Sequence, residues 1–244
     1  MTRIGFVQLN SCGGCFFSLL ANPVFPDVLK SADICYFPLV SDQNNLDAAD
    51  TVVVEGSVTN ESEEKLIRHL YTAGAKIIPL GTCATLGGIM SQSKRMQSNP
   101  VGKYVDIDTH LPGCPPPQSL IGSLLLSLVH GTEFSLPKKS VCAECAYTMD
   151  QDFSNEIRYT NPPKTPRSCF IREGVLCLGP VTMGGCGAKC VRVGSPCDGC
   201  FGSLERNMPA ALANLISVLK ISPELQGQAA LASRYQKPTL RLEK

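Results

Sequence analysis

Five short apolar runs are spaced along the first half of the chain, each closed by polar or turn-forming residues: Ile4–Leu9, Ile34–Leu39, Val52–Glu55, Lys76–Leu80 and a weaker one at Tyr104–Ile107. Runs of this length and composition predict strands. Between them the pattern becomes helical. Residues Glu61–Ala73 carry acidic side chains in the first turn and stop at Gly74, while Pro115–Val129 is entered through proline. Strand-like and helix-like segments in alternation predict an α/β fold built on an open parallel sheet.

The order resembles a flavodoxin-like layout, in which ligands lie outside the carboxyl ends of the strands near the topological switch point. Cys12 and Cys15 follow the first run, Glu55-Gly56 the third and Cys83 the fourth, and Cys114 comes soon after the fifth. Glycine lies beside or within two residues of each cysteine, which lets the backbone bend closely around a bulky group. From about Leu136 the pattern fades into Pro, Gly and Cys, with Asn161-Pro-Pro-Lys-Thr-Pro-Arg167 and Gly184-Gly-Cys-Gly187 as turn signals. Two domains are therefore expected, residues 1–135 and 136–244. The second has few apolar periodic runs, so it is not expected to build an ordinary core, and its folding should be coupled to metal ligation. A last helix is expected at Met208–Leu219, followed by a polar tail with Arg234, Lys237, Arg241 and Lys244 that reads as a mobile or partner-docked end.

Cysteine usage changes this picture most. Twelve of the 13 cysteines fall into three sets of four: Cys12, Cys15, Cys83 and Cys114; Cys142, Cys145, Cys169 and Cys177; and Cys186, Cys190, Cys197 and Cys200. Four thiolates are what a cubane iron–sulfur cluster requires. The thirteenth, Cys35, sits in the apolar run Ile34-Cys-Tyr-Phe37 and reads as a buried core thiol. Disulfides suit small secreted domains without a core, whereas 244 residues with 43% hydrophobic content can bury one, and the odd count also argues against them. Met1-Thr-Arg-Ile-Gly-Phe6 runs directly into a strand with no secretory or twin-arginine pattern, so a reducing, cytoplasmic compartment is expected. Structural zinc stays open, because Cys-x-x-Cys pairs also hold tetrahedral zinc. Zinc motifs, however, keep their pairs close in sequence, while the first set is drawn from loops between Cys12 and Cys114.

Charge excludes one class of partner. With 22 basic and 21 acidic residues the net charge is +1, which makes no footprint for a phosphate backbone, so no nucleic acid is expected. The longest apolar run, Leu124–Val129, is far short of the roughly 20 residues of a transmembrane helix.

Four ordered motifs carry a specific resemblance: Cys12-Gly-Gly-Cys15, Glu55-Gly56-Ser57, Gly81-Thr-Cys83-Ala-Thr-Leu-Gly-Gly88 and Gly113-Cys114-Pro-Pro116. Over essentially residues 3 to 205 the chain resembles the small, electron-transferring subunit of a [NiFe] hydrogenase, where these motifs bind the cluster nearest the nickel–iron centre. Leu176-Cys-Leu-Gly-Pro-Val-Thr-Met-Gly-Gly-Cys-Gly-Ala-Lys-Cys190 resembles the cytoplasmic, multimeric branch that includes methanogen and sulfur-reducing enzymes. Cys142 stands where periplasmic members have a histidine ligand, and Cys190 where they have a proline.

The resemblance implies three [4Fe-4S] clusters, all thiolate-ligated, with the 12/15/83/114 site proximal, the 186/190/197/200 site medial and the 142/145/169/177 site distal. It implies a separate large subunit that cleaves dihydrogen, and a flavin or iron–sulfur acceptor subunit docking near Cys142 and Cys145. No catalytic residue is expected on this chain. Gly14 stands where oxygen-tolerant relatives carry an extra cysteine, which implies ordinary oxygen sensitivity. Ser195-Pro-Cys197-Asp-Gly-Cys200 has some likeness to a nickel motif but lacks its preceding aspartate, so its cysteines are read as cluster ligands.

Two other classes share part of the pattern. A complex-I-type subunit shares the N-terminal fold and one cluster, but has adjacent cysteines at the first motif and lacks the later eight. An iron–sulfur carrier or redox-sensing scaffold without a hydrogenase partner stays open. Glu55, at a strand end near the proximal site, is expected to be a solvated acid, the alternative being a part in proton or hydrogen-bond traffic there; His69 is expected at the surface, and His110 and His130 to be structural.

Overall fold

The computed structural model describes residues 2–147, 157, 168–204, 215 and 235. The expected helix Met208–Leu219, apart from Leu215, the tail cations and the Asn161–Arg167 turn lie outside these residues. The chain divides into two compact units, Met1–Leu136 and Pro137–Lys244.

The first unit is an open α/β sheet of four parallel strands: β1 (Arg3–Gln8), β2 (Asp33–Tyr36), β3 (Thr51–Glu55) and β4 (Lys76–Leu80), in the order β2-β1-β3-β4. All five residues of β3 are buried, as a central strand covered on both faces requires. The described α-helices are α1 (Gly14–Leu20), α2 (Phe25–Ser31), α3 (Glu61–Thr72), α4 (Gly81–Leu86), α5 (Gln118–His130) and, in the second unit, α6 (Lys189–Arg192), and short 3-10 turns join them. The Asn60 side chain accepts the Glu63 amide to cap α3, and Gly74 (φ 94°) follows its end, as the acidic first turn and the glycine imply.

One face of the sheet is aromatic. Phe6 on β1 stacks on Phe37 at 4.5 Å between centroids and meets Phe16 of α1 edge-on at 5.9 Å. Each such pair adds about 0.5–1.5 kcal/mol beyond area burial. The Asn22 side-chain amide donates to the Gln118 carbonyl (2.7 Å) and that of Gln118 to the Ser18 carbonyl (2.8 Å), tying α5 to α1. A second cluster joins Val7, Val52, Val54 and Ile77 to Ile67 and Leu70 of α3, and includes Cys35, which is buried in β2.

The weak fifth run does not form a strand. Val101–Lys103 is a 3-10 turn, and the Tyr104 carbonyl is taken by the Arg68 guanidinium of α3 at 2.8 Å. Pro79 gives β4 a residue without an N–H, the mark of an edge strand. That edge is met instead by a single residue, Leu111, whose amide donates to the Pro79 carbonyl (3.0 Å) and whose carbonyl accepts the Gly81 amide (2.7 Å).

Register places the chemistry. In-register pairing sets Gln8 beside Glu55 and Glu55 beside Leu80, so three strands end level and their chains leave on one edge. The loop at Leu111 joins them there, because Thr82 and Gly113 exchange hydrogen bonds at 2.9 and 3.0 Å.

The second unit departs from expectation. It has an apolar cluster of Val141, Phe170, Ile171, Val175, Leu178 and Val191, and Cys177 and Cys197 are buried within it. Its apolar side chains, too sparse to show periodicity, are gathered around cysteines rather than along helices or strands.

Candidate metal centres

The first set converges beyond the level strand ends. Burial is the first cause that pushes the Cys15 thiol up, followed by the charges of Glu55, Cys83, Cys114 and Cys12. Cys83 is pushed up to about 11 by burial, then by Cys114, Cys12 and Glu55, and Cys114 is raised by burial and Cys12. All four sulfurs therefore lie within electrostatic reach of one another. Crowding and burial favour the neutral thiols here, and a positively charged centre among them would favour the thiolates instead.

Glycine makes the room. Gly81 has φ 84° and a Cβ there would run into Cys15 Sγ, while a Cβ on Gly88 would sit 2.7 Å from Cys83 Sγ. Both glycines come from the Gly-Thr-Cys-Ala-Thr-Leu-Gly-Gly motif.

Glu55 corrects the sequence reading. It is not solvated but only 1% exposed, and its carboxylate accepts the amides of Cys15 and Phe16 at 3.0 Å each. The α1 N-cap is Gly13, which has no side chain to offer, so the end of β3 caps the helix that carries Cys15. Burial raises the Glu55 pKa, against the Cys15 and Phe16 amides and the Ser11 hydroxyl.

The second set lines one cavity: Cys142, Cys145, Cys169 and Cys177 face it together with Tyr147, Phe170 and Val191. Burial, then Cys145, Cys169 and Cys197, pushes Cys142 up to about 12. Burial takes Cys177 up to about 11, against hydrogen bonds from the Gly179 and Cys197 amides. A Cβ on Gly179 would stand 3.2 Å from Cys142 Sγ, a tight fit.

In the third set, burial and Cys177 push Cys197 up to about 12, with the Gly199 amide and Thr182 hydroxyl opposing and Cys186 adding to the rise. Cys190 is raised by burial, Cys186 and Asp198. Cys186 thus neighbours both Cys190 and Cys197, and Cys200 follows in the turn closed by Gly202 N–H to the Gly199 carbonyl (3.0 Å). The last two sets adjoin: the Cys197 amide donates to Cys177 Sγ at 3.3 Å.

Among the described residues no three Cys, His, Asp or Glu side chains close on one ion-sized position. His69 pairs with Asp47 at 3.1 Å on the surface, and His110 and His130 are exposed.

Sequence reasoning missed Glu144. Its carboxylate accepts the Gly185 and Gly187 amides, on either side of Cys186, at 2.8–2.9 Å. The only local signal was an acid inside Cys142-Ala-Glu-Cys145.

The family model described as NADH ubiquinone oxidoreductase, 20 Kd subunit, matches residues 12–128 and ends before the last eight cysteines. One subunit of the F420-non-reducing hydrogenase vhu of Methanocaldococcus jannaschii is 30% identical over 97% of this chain and 95% of that protein. The delta subunit of sulfhydrogenase 2 of Pyrococcus furiosus is 29% identical over 89% of this chain and 93% of its own. Among solved structures, an NAD+-reducing [NiFe]-hydrogenase in the H2-reduced state is 22% identical, with a TM-score of 0.47, covering 56% of this chain and 95% of that one.

Proposed function

This chain belongs to the small-subunit family of the [NiFe] hydrogenases, in the methanogen and sulfhydrogenase type of branch, and on that premise we propose that it relays electrons during reversible dihydrogen oxidation. The catalytic nickel–iron centre is on a separate large subunit, and the other partner is a flavin or iron–sulfur subunit. Three [4Fe-4S] clusters are assigned, one to Cys12, Cys15, Cys83 and Cys114, one to Cys142, Cys145, Cys169 and Cys177, and one to Cys186, Cys190, Cys197 and Cys200. Each supplies, when bound, a site that takes up and releases one electron.

The observation that carries this reading is the convergence of four cysteines from the ends of β1 and β4 and the Leu111 loop, with Gly81 and Gly88 leaving space at the Cys15 and Cys83 sulfurs. Support for the second site is the cavity all four of its cysteines line. The protein's own part is to seat each thiolate. Glu55 orients the Cys15 turn, Gly179 lets the chain pass Cys142, and the Cys197 amide satisfies Cys177 Sγ. The contact between Cys177 and Cys197 also supports neighbouring electron sites in this unit. A cytoplasmic location is proposed with these partners; among the described residues no helix is long and apolar enough to cross a membrane.

The test is metal analysis with electron paramagnetic resonance on the anaerobically purified native complex, before and after dihydrogen. About twelve irons per copy of this chain, one nickel, and signals that respond to the gas are expected. Zinc without iron would make it a structural metal protein. Iron without nickel or response to the gas would make it a carrier or sensor.

A further inference from the structure

The turn around Cys186 is built to hold an anion. Gly185 (φ 111°), Gly187 (φ 68°) and Ala188 (φ 49°) all lie in the left-handed region, and Ala188 is the described chain's one non-glycine residue there. Successive amides in such a turn converge into an anion-binding concavity. Here the anion comes from the protein. Both Glu144 carboxylate oxygens accept the Gly185 amide at 2.9 Å, and Oε2 also accepts that of Gly187 at 2.8 Å.

Glu144 itself lies between Cys142 and Cys145, in the 3-10 turn Val141–Glu144. One carboxylate therefore joins the loops of two cysteine sets. Its side chain is 12% exposed, and its counter-charge, Lys139 Nζ at 3.1 Å, is on a side chain 51% exposed. The negative charge is thus inside the unit while the positive one is half in water, where it is screened.

We propose that Glu144 is a positioning residue that keeps the centre held through Cys186 at low reduction potential, and that Lys139 partly offsets it. The inference rests on the iron–sulfur assignment above. Net charge and hydrogen bonds to sulfur are two of the levers that set cluster potentials. Glu144 works both in one direction: it adds a negative charge beside Cys186, and it engages the two amides that flank this cysteine.

The experiment is a redox titration, followed by electron paramagnetic resonance, of the native complex carrying Glu144→Gln or Lys139→Gln. Glu144→Gln keeps the shape and one acceptor oxygen but removes the charge. It should raise a cluster midpoint, with about a tenfold change in the reduced-to-oxidised ratio at fixed potential, or about 59 mV for one electron. Lys139→Gln should shift the same signal the other way by less. Opposite signs distinguish an electrostatic role from general disturbance, which would not reverse with the charge removed. Should Glu144→Gln fail to take up iron, Lys139→Gln still decides: a midpoint that stays or rises overturns the proposal. Iron-loaded variants with unmoved midpoints, or with shifts of one sign, also overturn it and leave the relay reading standing. A wild-type complex without iron would defeat the relay reading, and is seen before any variant is made.

Discussion

Glu55 Oε1 accepts the amide hydrogen of Cys15 at 3.0 Å, across 40 positions of sequence, and the second oxygen takes that of Phe16. A buried acid at the end of the central strand thus holds the first turn of the helix that presents a thiol. Two buried amides would lose their acceptor in Glu55→Ala, at about 1–3 kcal/mol, or about 2–10 °C in Tm for a chain of this size. Iron content should fall as well. Glu55→Gln retains one acceptor oxygen and should lie between the two. Calorimetry and iron analysis of the complex check this; full stability and iron in Glu55→Ala would refute the capping role.

Gly81 and Gly74 share the same backbone region, with φ 84° and 94°, but not the same surroundings. Nothing lies within 4 Å of a Cβ placed on Gly74, whereas one on Gly81 meets Cys15 Sγ. Gly74→Ala should cost only the left-handed strain, about 1–2 kcal/mol. Gly81→Ala should add loss of the first centre, read as roughly one third less iron per chain under the three-cluster assignment. Equal iron in the two variants would show that the space at Gly81 has no part in ligation.

Cys83 and Cys35 separate ligand from core thiol. Cys83 lies in α4 among the converging sulfurs, and Cys35 in β2 within the apolar cluster of Val7, Val52 and Ile67. Cys83→Ala should abolish dihydrogen-driven reduction of a dye by the complex. Cys35→Ala should cost about 1 kcal/mol of stability and leave that rate nearly intact. The dye assay decides, and equal loss from both substitutions would undo the ligand assignment.

Removing iron should loosen the second unit first. Its apolar cluster is the wall of the cysteine cavity and contains Cys177 and Cys197, while the first unit retains the Phe6, Phe16 and Phe37 cluster without any metal. After anaerobic chelation, hydrogen exchange at residues 168–204 should rise well before that of β1 and β3. Simultaneous exchange in both units would show that the first depends on its centre equally.

Much of the fold was legible along the chain. Four of the five apolar runs are strands, because their Val, Ile and Phe content and turn boundaries are local properties that survive folding. The placement of Cys12, Cys15 and Cys83 just past strand ends was legible for the same reason. Tyr104–Ile107 failed as a strand because a partner decides strand formation: Arg68 takes the Tyr104 carbonyl, and Leu111 meets the β4 edge.

By itself, then, the sequence determined an α/β alternation and the positions of Cys12, Cys15 and Cys83 just past strand ends, with the glycines that make room beside them. Tertiary structure alone decided that Glu55 is buried, since its partners are amides 39 and 40 residues away that become adjacent only when β1 and β3 pair in register. It alone decided that Glu144 serves the turn of Cys186, 41 and 43 residues on from it at Gly185 and Gly187. Carboxylates carry no mark in sequence of which amide they will meet. Hydropathy reports whether a residue type prefers water, and an acid satisfied by backbone donors is buried against that preference.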